Sequence, residues 1–172
     1  TKGEGMKKLA IVLTAAALTL CMPGCQSTKT IECDGFSFSV PYSWGEIEET
    51  ENRQHEIAME NGDKVLTVGG IDLPAEANPD EVLELSYLDI DGDESQSEMI
   101  NVERFDIDGS PAMRGMVHTS YASGDEDYWG YVINFVTPAN KHVYFSTSLE
   151  GENDTATVNT MKSVSESIRL DG

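Results

Sequence analysis

The sequence predicts a single α+β domain in which a largely antiparallel sheet of about six to seven strands is covered by two helices. Two observations lead to this class. Short stretches of alternating apolar and polar residues follow one another with turn residues between them, which is typical of hairpins. Two stretches with helical periodicity, one in mid-chain and one near the end, each begin with a capping residue. The predicted domain spans residues 36–170, a length that suits one hydrophobic core.

Three strands are predicted in the first half of the domain. Phe36–Val40 alternates strictly up to a proline, and Trp44 follows in a turn where its ring would close one end of the core. Two further extended runs, 55–60 and 65–68, flank Asn61-Gly62. Because Asn-Gly between two extended runs is a strong hairpin signal, these runs are expected to pair.

The first helix is predicted to begin at Asn78-Pro79. Asn78 suits the N-cap, Pro79 suits the first helical position, and Glu81 completes an arrangement like a capping box. The spacing of the apolar residues predicts an inward face made of Val82, Leu85, Tyr87 and Leu88.

The second half of the domain is predicted to be a run of antiparallel strands at residues 100–107, 112–121, 128–137 and 142–149. The third of them is the most apolar, so it is expected at the centre of the sheet. A second helix is capped by Asn153 or Asp154 and runs to about residue 168. Its predicted inward stripe consists of Val158, Met161, Ser165 and Ile168.

The most specific motif in the chain ends at Cys25. A basic start, Met6-Lys7-Lys8, is followed by an apolar run over residues 9–20 and by Gly24 directly before the cysteine. This pattern resembles a bacterial lipoprotein signal with Gly24-Cys25 as its junction. The resemblance implies that Cys25 becomes the lipidated, palmitate-bearing first residue of the mature chain.

This interpretation divides the N-terminal part of the chain into three segments. Residues 1–5 are an added segment or an over-long start, residues 6–24 are the signal peptide, and residues 25–35 are the lipidated N-terminus and a short linker. The protein would then sit on the extracytoplasmic face of the cell membrane, with the lipid bilayer as its partner through Cys25.

Two alternatives fit the same N-terminal residues: a secretory signal that is cleaved without lipidation, and a buried helix followed by an ordinary cysteine. Met22 and Pro23 depart from the leucine and small residue that such lipoprotein motifs usually carry. Cys21 is a weaker candidate for the junction because the bulky Leu20 precedes it.

The chain is strongly acidic, with 31 Asp and Glu residues against 11 Lys and Arg residues and a formal charge of −20. Beyond residue 24, 30 acidic and 8 basic residues remain, which gives a formal charge of about −22. Nucleic acid and anionic headgroups need cationic patches, so the composition argues against both as partners. It permits a basic partner or divalent cations.

At the level of the domain, a second resemblance emerges. The strand Phe36-Ser-Phe-Ser-Val-Pro followed by Trp44, the mid-chain helix, the turn Asp108-Gly109-Ser110-Pro111-Ala112 and the closing helix at 163–168 are similar to those of Mog1/PsbP-like domains. The resemblance covers about residues 36–170. It implies an accessory or binding role rather than an enzyme, and it carries over no functional residues.

An acidic loop invites a calcium interpretation, with Asp89, Asp91 and Asp93 as candidate ligands. The loop departs from the EF-hand pattern, because Gly92 is fourth instead of sixth and Ile100 stands where the glutamate should be. A looser calcium site and a merely solvated acidic loop both remain open.

Other chemistry finds little support. His55, His118 and His142 lie on three separate predicted strands without zinc-ligand spacing, and no nucleophile stands beside a base. Gly69-Gly70 is too short to cradle a phosphate and is expected to mark a bulge or a strand end. Cys33 is either a buried small hydrophobe or a reactive thiol. No cofactor is predicted.

Seven aromatic residues crowd the last strands: Tyr121, Tyr128, Trp129, Tyr131, Phe135, Tyr144 and Phe145. They are expected to be core and cross-strand pairs, or else a face that binds a glycan or a peptide. Alternation sets Trp129, Tyr131 and Ile133 on one face of their strand.

The sequence therefore favours a non-catalytic, membrane-anchored binding or assembly module with an unknown protein or glycan partner. Two alternatives are a surface hydrolase that uses acidic residues and a calcium-dependent binding module.

Overall fold

The computed structural model describes residues 27–46, 55–59, 64–85, 95–121 and 126–171. They form the predicted α+β domain. Its elements are, in chain order, β1 (Thr28–Cys33), β2 (Phe36–Pro41), β3 (Gly45–Glu46), β4 (His55–Ala58), β5 (Val65–Asp72), α1 (Pro79–Leu85), β6 (Ser95–Ile107), β7 (Ser110–Tyr121), β8 (Tyr128–Val136), β9 (Lys141–Ser148), α2 (Thr155–Ser167) and β10 (Arg169–Leu170).

The main sheet has seven antiparallel strands in the order β3-β4-β5-β9-β8-β7-β6. The prediction that β8 is its centre was wrong by one strand, because β5 pairs with β9 from the other side and makes β9 the middle strand. The apolar character of β8 has another cause. All residues from Gly130 to Val136 are buried, so β8 is covered on both faces.

A second sheet of three strands, in the order β1-β2-β10, packs on one face of the main sheet. The predicted linker over 25–35 was therefore wrong from Thr28 onwards, since Thr28–Cys33 pairs residue by residue with β2. Alternation in β1 is weak because Ile31 is its one buried side chain. The pairing with β2, more than its own apolar pattern, makes this segment a strand.

Between the two sheets lies the aromatic core. Phe38 and Phe145 meet edge to face with ring centroids 4.8 Å apart, and Phe36 and Phe135 do so at 5.4 Å. Trp44 is 3% exposed and closes the core as predicted. The larger helix, α2, lies over the same face of the main sheet and completes this core.

The inward stripe of α2 agrees with the prediction for Met161, Ser165 and Ile168, while Val158 is half-buried. Two more residues of α2, Thr157 and Val164, are also buried. The N-cap is Asp154, whose Oδ1 accepts a hydrogen bond from the Thr157 N–H at 3.1 Å. The structure thus decides between the two predicted caps.

On the opposite face of the main sheet, α1 packs against β7 and β8. The helix begins as predicted, with Asn78 Oδ1 accepting from the Asp80 N–H at 3.1 Å. Its buried residue is Leu83, whereas the predicted Val82 is half-buried. The other predicted positions of this helix face lie outside the described side chains.

Three local features shape the sheet. The strands β4 and β5 form the predicted hairpin, whose turn lies outside the described residues. Gly69 and Gly70 pair regularly with β9, so the predicted bulge or strand end was wrong. The Tyr144 ring lies over Gly69 where a Cβ would stand 2.3 Å from it, which explains the glycine. A bulge does occur in β6 between Ile100 and Glu103.

Neither α1 nor α2, the helices of the described part of the chain, has the length and apolar character needed to cross a membrane.

Candidate functional site

The predicted site residues fall outside the described part of the chain. Cys25, the predicted lipidation site, precedes its first described residue. Asp89, Asp91 and Asp93, the candidate calcium ligands, lie between α1 and β6 in a segment that is also outside it. Both assignments stay predictions.

Three of the seven aromatic residues in the predicted cluster belong to the core. Tyr131, Phe135 and Phe145 are 2%, 0% and 0% exposed, which agrees with the interpretation as packing residues. The alternation along β8 is also confirmed, because Tyr131 and Ile133 point into the aromatic core. Trp129 is different, since it packs against this core but keeps part of its surface exposed.

Trp129 belongs to a small surface patch near the ends of β6, β7 and β8. Pairing of β7 with β8 sets His118 opposite Trp129, and the two rings stack with centroids 4.3 Å apart and an angle of 23° between their planes. Glu98 of β6 and Asp127 before β8 flank the histidine. We call these four residues the His118–Trp129 patch.

Both ring nitrogens of His118 face carboxylates. Nε2 lies 2.9 Å from Asp127 Oδ2, and Nδ1 lies 3.5 Å from Glu98 Oε1. The hydrogen bond with Asp127 is the main cause of the raised pKa of His118, and the bond with Glu98 raises it further. Carboxylates at both nitrogens favour the doubly protonated ring, which has no lone pair for a metal or for proton abstraction. The patch therefore offers a charged aromatic surface for recognition and no general base.

The other histidines do not join this patch. His142 lies on β9 with its side chain on the opposite face of the sheet from Phe145, and its Nε2 is 3.3 Å from Asn134 Oδ1. Burial lowers the pKa of His142, so the ring is neutral and structural. His55 lies on β4, two strands away from β9. Among the described residues, no three His, Cys, Asp or Glu side chains are arranged to hold a metal ion.

A surface cleft of about 240 Å³ lies between the β6–β7 turn and the end of α2. Two of its carboxylates, those of Asp106 and Asp108, accept hydrogen bonds from backbone N–H groups, and that of Glu166 lies 3.6 Å from Arg114 Nη1. Asp106 Oδ1 accepts from the Gly109 N–H at 2.7 Å, and Asp108 Oδ2 accepts from the Leu170 N–H at 2.9 Å. The interpretation of Asp106–Gly109 as turn chemistry is thus confirmed, and the cleft offers no buried carboxylate pair within the described residues.

The fold of this chain is similar to those of solved structures. The solution structure of cyanobacterial PsbP (CyanoP) from Synechocystis sp. PCC 6803 matches with a TM-score of 0.60 at 19% identity, over 90% of this chain and 99% of that one. The chain has a PsbP-like fold. A crystal structure from Bacteroides thetaiotaomicron VPI-5482 matches with a TM-score of 0.49 at 13% identity, over 80% of this chain and 45% of that one. No family model and no curated protein matches the sequence.

In this PsbP-like domain Cys33 is half-buried at the end of β1 and packs against the core. Burial raises the pKa of its thiol to about 12. The thiol is therefore protonated and unreactive at neutral pH, in line with the small-hydrophobe interpretation.

Sequence reasoning missed the His118–Trp129 patch, although it had singled out both residues. Their contact depends on the register of β7 against β8. The register of a hairpin can be predicted when a short turn fixes which residues face each other. The connection between β7 and β8 is too long for that, so the sequence does not show that His118 faces Trp129.

Proposed function

We propose that this chain is a membrane-anchored, extracytoplasmic binding or assembly module that is lipidated at Cys25 and has no catalytic role. The observation that carries the proposal is the sequence order at the N-terminus. A segment that resembles a lipoprotein signal ends at Cys25, and the first strand of a PsbP-like domain begins at Thr28. A lipidated cysteine would thus be followed almost at once by folded protein.

The His118–Trp129 patch supports a binding role. It combines a half-exposed indole with an imidazole that two carboxylates hold in place, and aromatic residues of this kind are enriched in binding surfaces. The acidic groups of the patch and of the whole chain favour a partner with basic or polar groups, which suits a protein or a glycan. Nucleic acid is a poor partner for the same reason.

Mass spectrometry of the mature N-terminus tests the anchor. We expect the full chain, expressed in a bacterial host with its own signal, to yield a protein that begins at an acylated Cys25 and sediments with membranes. Cys25→Ala should release the protein or block its processing, while the matched variant Cys21→Ala should behave as the parent does. An unmodified Cys25 in the mature protein contradicts the proposal.

Photo-crosslinking in intact membranes tests the binding role. A photo-reactive amino acid in place of Glu126, which is exposed beside Asp127, is expected to capture a discrete partner. The same amino acid in place of Glu76, an exposed glutamate in the loop after β5, is the matched control. Loss of the Glu126 product in Trp129→Ala, with a normal melting temperature, assigns the contact to the patch. Equal products from both positions argue against it.

A further inference from the structure

Tyr42 is the most exposed large apolar side chain in the described part of the chain, at 68%, followed by Ile71 at 59% and Val102 at 45%. It lies in the turn that follows β2. Its backbone N–H donates to the Ser27 carbonyl at 2.8 Å, so Tyr42 stands beside the point where the chain enters the domain.

The anchor has little room to leave this point. Cys25 precedes Ser27 by two residues, and each residue of an extended chain spans at most about 3.6 Å, so the two Cα atoms are within about 7 Å of each other. If Cys25 carries acyl chains in the bilayer, Ser27 and Tyr42 must lie close to its surface. This step rests on the proposed function.

The opposite end of the domain is marked by other contacts. The six-residue strands of the β1–β2 hairpin separate Ser27 from the turn at Asp34 by about 20 Å. There Asp34 Oδ2 lies 2.5 Å from Lys141 Nζ, and Lys141 pairs with Asp72 at the end of β5. Ile71 precedes Asp72 and so belongs to this far end.

We propose that the end of the domain defined by Ser27 and Tyr42 faces the bilayer and that the Tyr42 ring enters the headgroup layer. Tyrosine suits this depth because its ring is apolar and its hydroxyl can stay hydrated. A domain with about −22 charges lacks the basic face that would attract anionic headgroups. The short tether instead brings an aromatic side chain, Tyr42, to the membrane surface.

Fluorescence quenching by brominated lipid tests the orientation. The full chain is produced in a bacterial host as the parent, as Tyr42→Trp and as Ile71→Trp, and is reconstituted into phosphatidylcholine vesicles brominated close to the headgroup. All three proteins keep Trp44 and Trp129, so the difference from the parent isolates the added indole. The two variants are matched, since both replace exposed side chains at opposite ends of one domain.

We expect the added fluorescence of Tyr42→Trp to be blue-shifted and quenched, and that of Ile71→Trp to be unaffected. With lipid on Cys25 verified by mass spectrometry of the same samples, equal quenching of both variants or stronger quenching of Ile71→Trp overturns the orientation and leaves the anchor intact. Absence of the lipid overturns the anchor and the orientation together. Thermal melts that match the parent show that the variants fold.

Discussion

The two faces of the main sheet are covered by different elements. One face carries a complete second sheet and the 13-residue helix α2, with four phenylalanine rings between them. The other face carries the seven-residue helix α1, which contributes Leu83 over β7 and β8. We call them the α2 face and the α1 face.

Charged side chains also fix the α2 face. Arg114 of β7 donates from Nε to Glu103 at 2.8 Å and from Nη1 to Ser165 Oγ of α2 at 2.5 Å. Lys162 of α2 reaches the same Glu103 at 2.6 Å, and hydrogen bonds from Lys162 and then Arg114 hold the pKa of Glu103 below its usual range. Helix, strands and charges are thus joined in one network.

A second charged clamp fixes the start of α2. Lys64, directly before β5, contacts the carboxylate of Asp154 and donates to Thr157 Oγ1 at 2.7 Å. Burial alone would raise the pKa of Asp154, but the hydrogen bonds from Lys64 and Thr157 outweigh it and hold the pKa well below its usual range. The α2 face is thus fixed by apolar packing together with specific polar contacts, and the α1 face mainly by apolar packing.

Removal of one core side chain from each face should give the largest effect. Phe145→Ala is expected to lower the free energy of unfolding by about 3–5 kcal/mol, because its ring is fully buried among three others. Leu83→Ala should cost less, about 2–3 kcal/mol, since a short helix can settle into the space. Urea unfolding measures both, and a larger loss in Leu83→Ala would reverse the comparison.

Loss of the charged network should give the next effect. Arg114→Met is expected to cost about 2–3 kcal/mol, because the side chain is 13% exposed and its removal takes the guanidinium donor from Ser165 Oγ and leaves Glu103 with Lys162 alone. The matched control is Arg104→Met in the neighbouring strand, where the side chain is 51% exposed and the change should stay within about 0.5 kcal/mol. Equal costs in chemical denaturation would show that the network adds nothing.

The two helix caps offer a smaller contrast. Asp154→Ala should cost about 1–2 kcal/mol, and Asn78→Ala at the exposed start of α1 about 0.5 kcal/mol. Since the folded-state pKa of Asp154 is depressed, its contribution is present above its unfolded-state pKa of about 4 and is lost as the pH falls below it. The deficit of Asp154→Ala should therefore shrink in acid, and a deficit independent of pH speaks against the clamp.

The smallest effects on stability should come from His118 and His142, whose contributions change with pH in opposite directions. The pKa of His118 is raised, so its stabilisation is complete below about pH 6.5 and is lost as the pH rises through the folded-state pKa. The pKa of His142 is lowered by burial, so stability falls as the pH drops below about 6.5.

Stability curves of His118→Gln and His142→Gln from about pH 5 to 8 check this pair of signs. Acidification should enlarge the deficit of the first variant, because the lost imidazolium faces Asp127 and Glu98. The same change should reduce the deficit of the second, whose histidine faces Asn134 and Tyr144. Parallel curves would contradict both assignments.

Much of this fold follows from local sequence patterns. The long hairpins and the start of each helix were predictable because alternation, turn residues and caps are short-range signals. The strand β1 was not, because Ile31 is its only buried side chain and the strand depends on its hydrogen bonds with β2. The central place of β9 was also missed, since it depends on a long-range pairing with β5 that no local pattern encodes.

The polar contacts were less predictable than the core. Glu103 and Arg114 lie directly opposite each other on the α2 face, and the sequence gives no sign that charges at inward positions would meet Lys162 of a distant helix. The His118–Trp129 patch was missed for a similar reason, because its members come from three strands. Contacts of this kind appear only after register and packing are known.

The bulge in β6 has a consequence for how molecules of this protein meet one another. β6 is a 13-residue strand at the edge of the described sheet, and a long straight edge would be a template for pairing with a second chain. The irregularity between Ile100 and Glu103, with Asn101 at φ 55°, interrupts the straight edge, and charged side chains follow at once. Where molecules of this protein meet at high local concentration, this shape disfavours edge-to-edge pairing of their sheets.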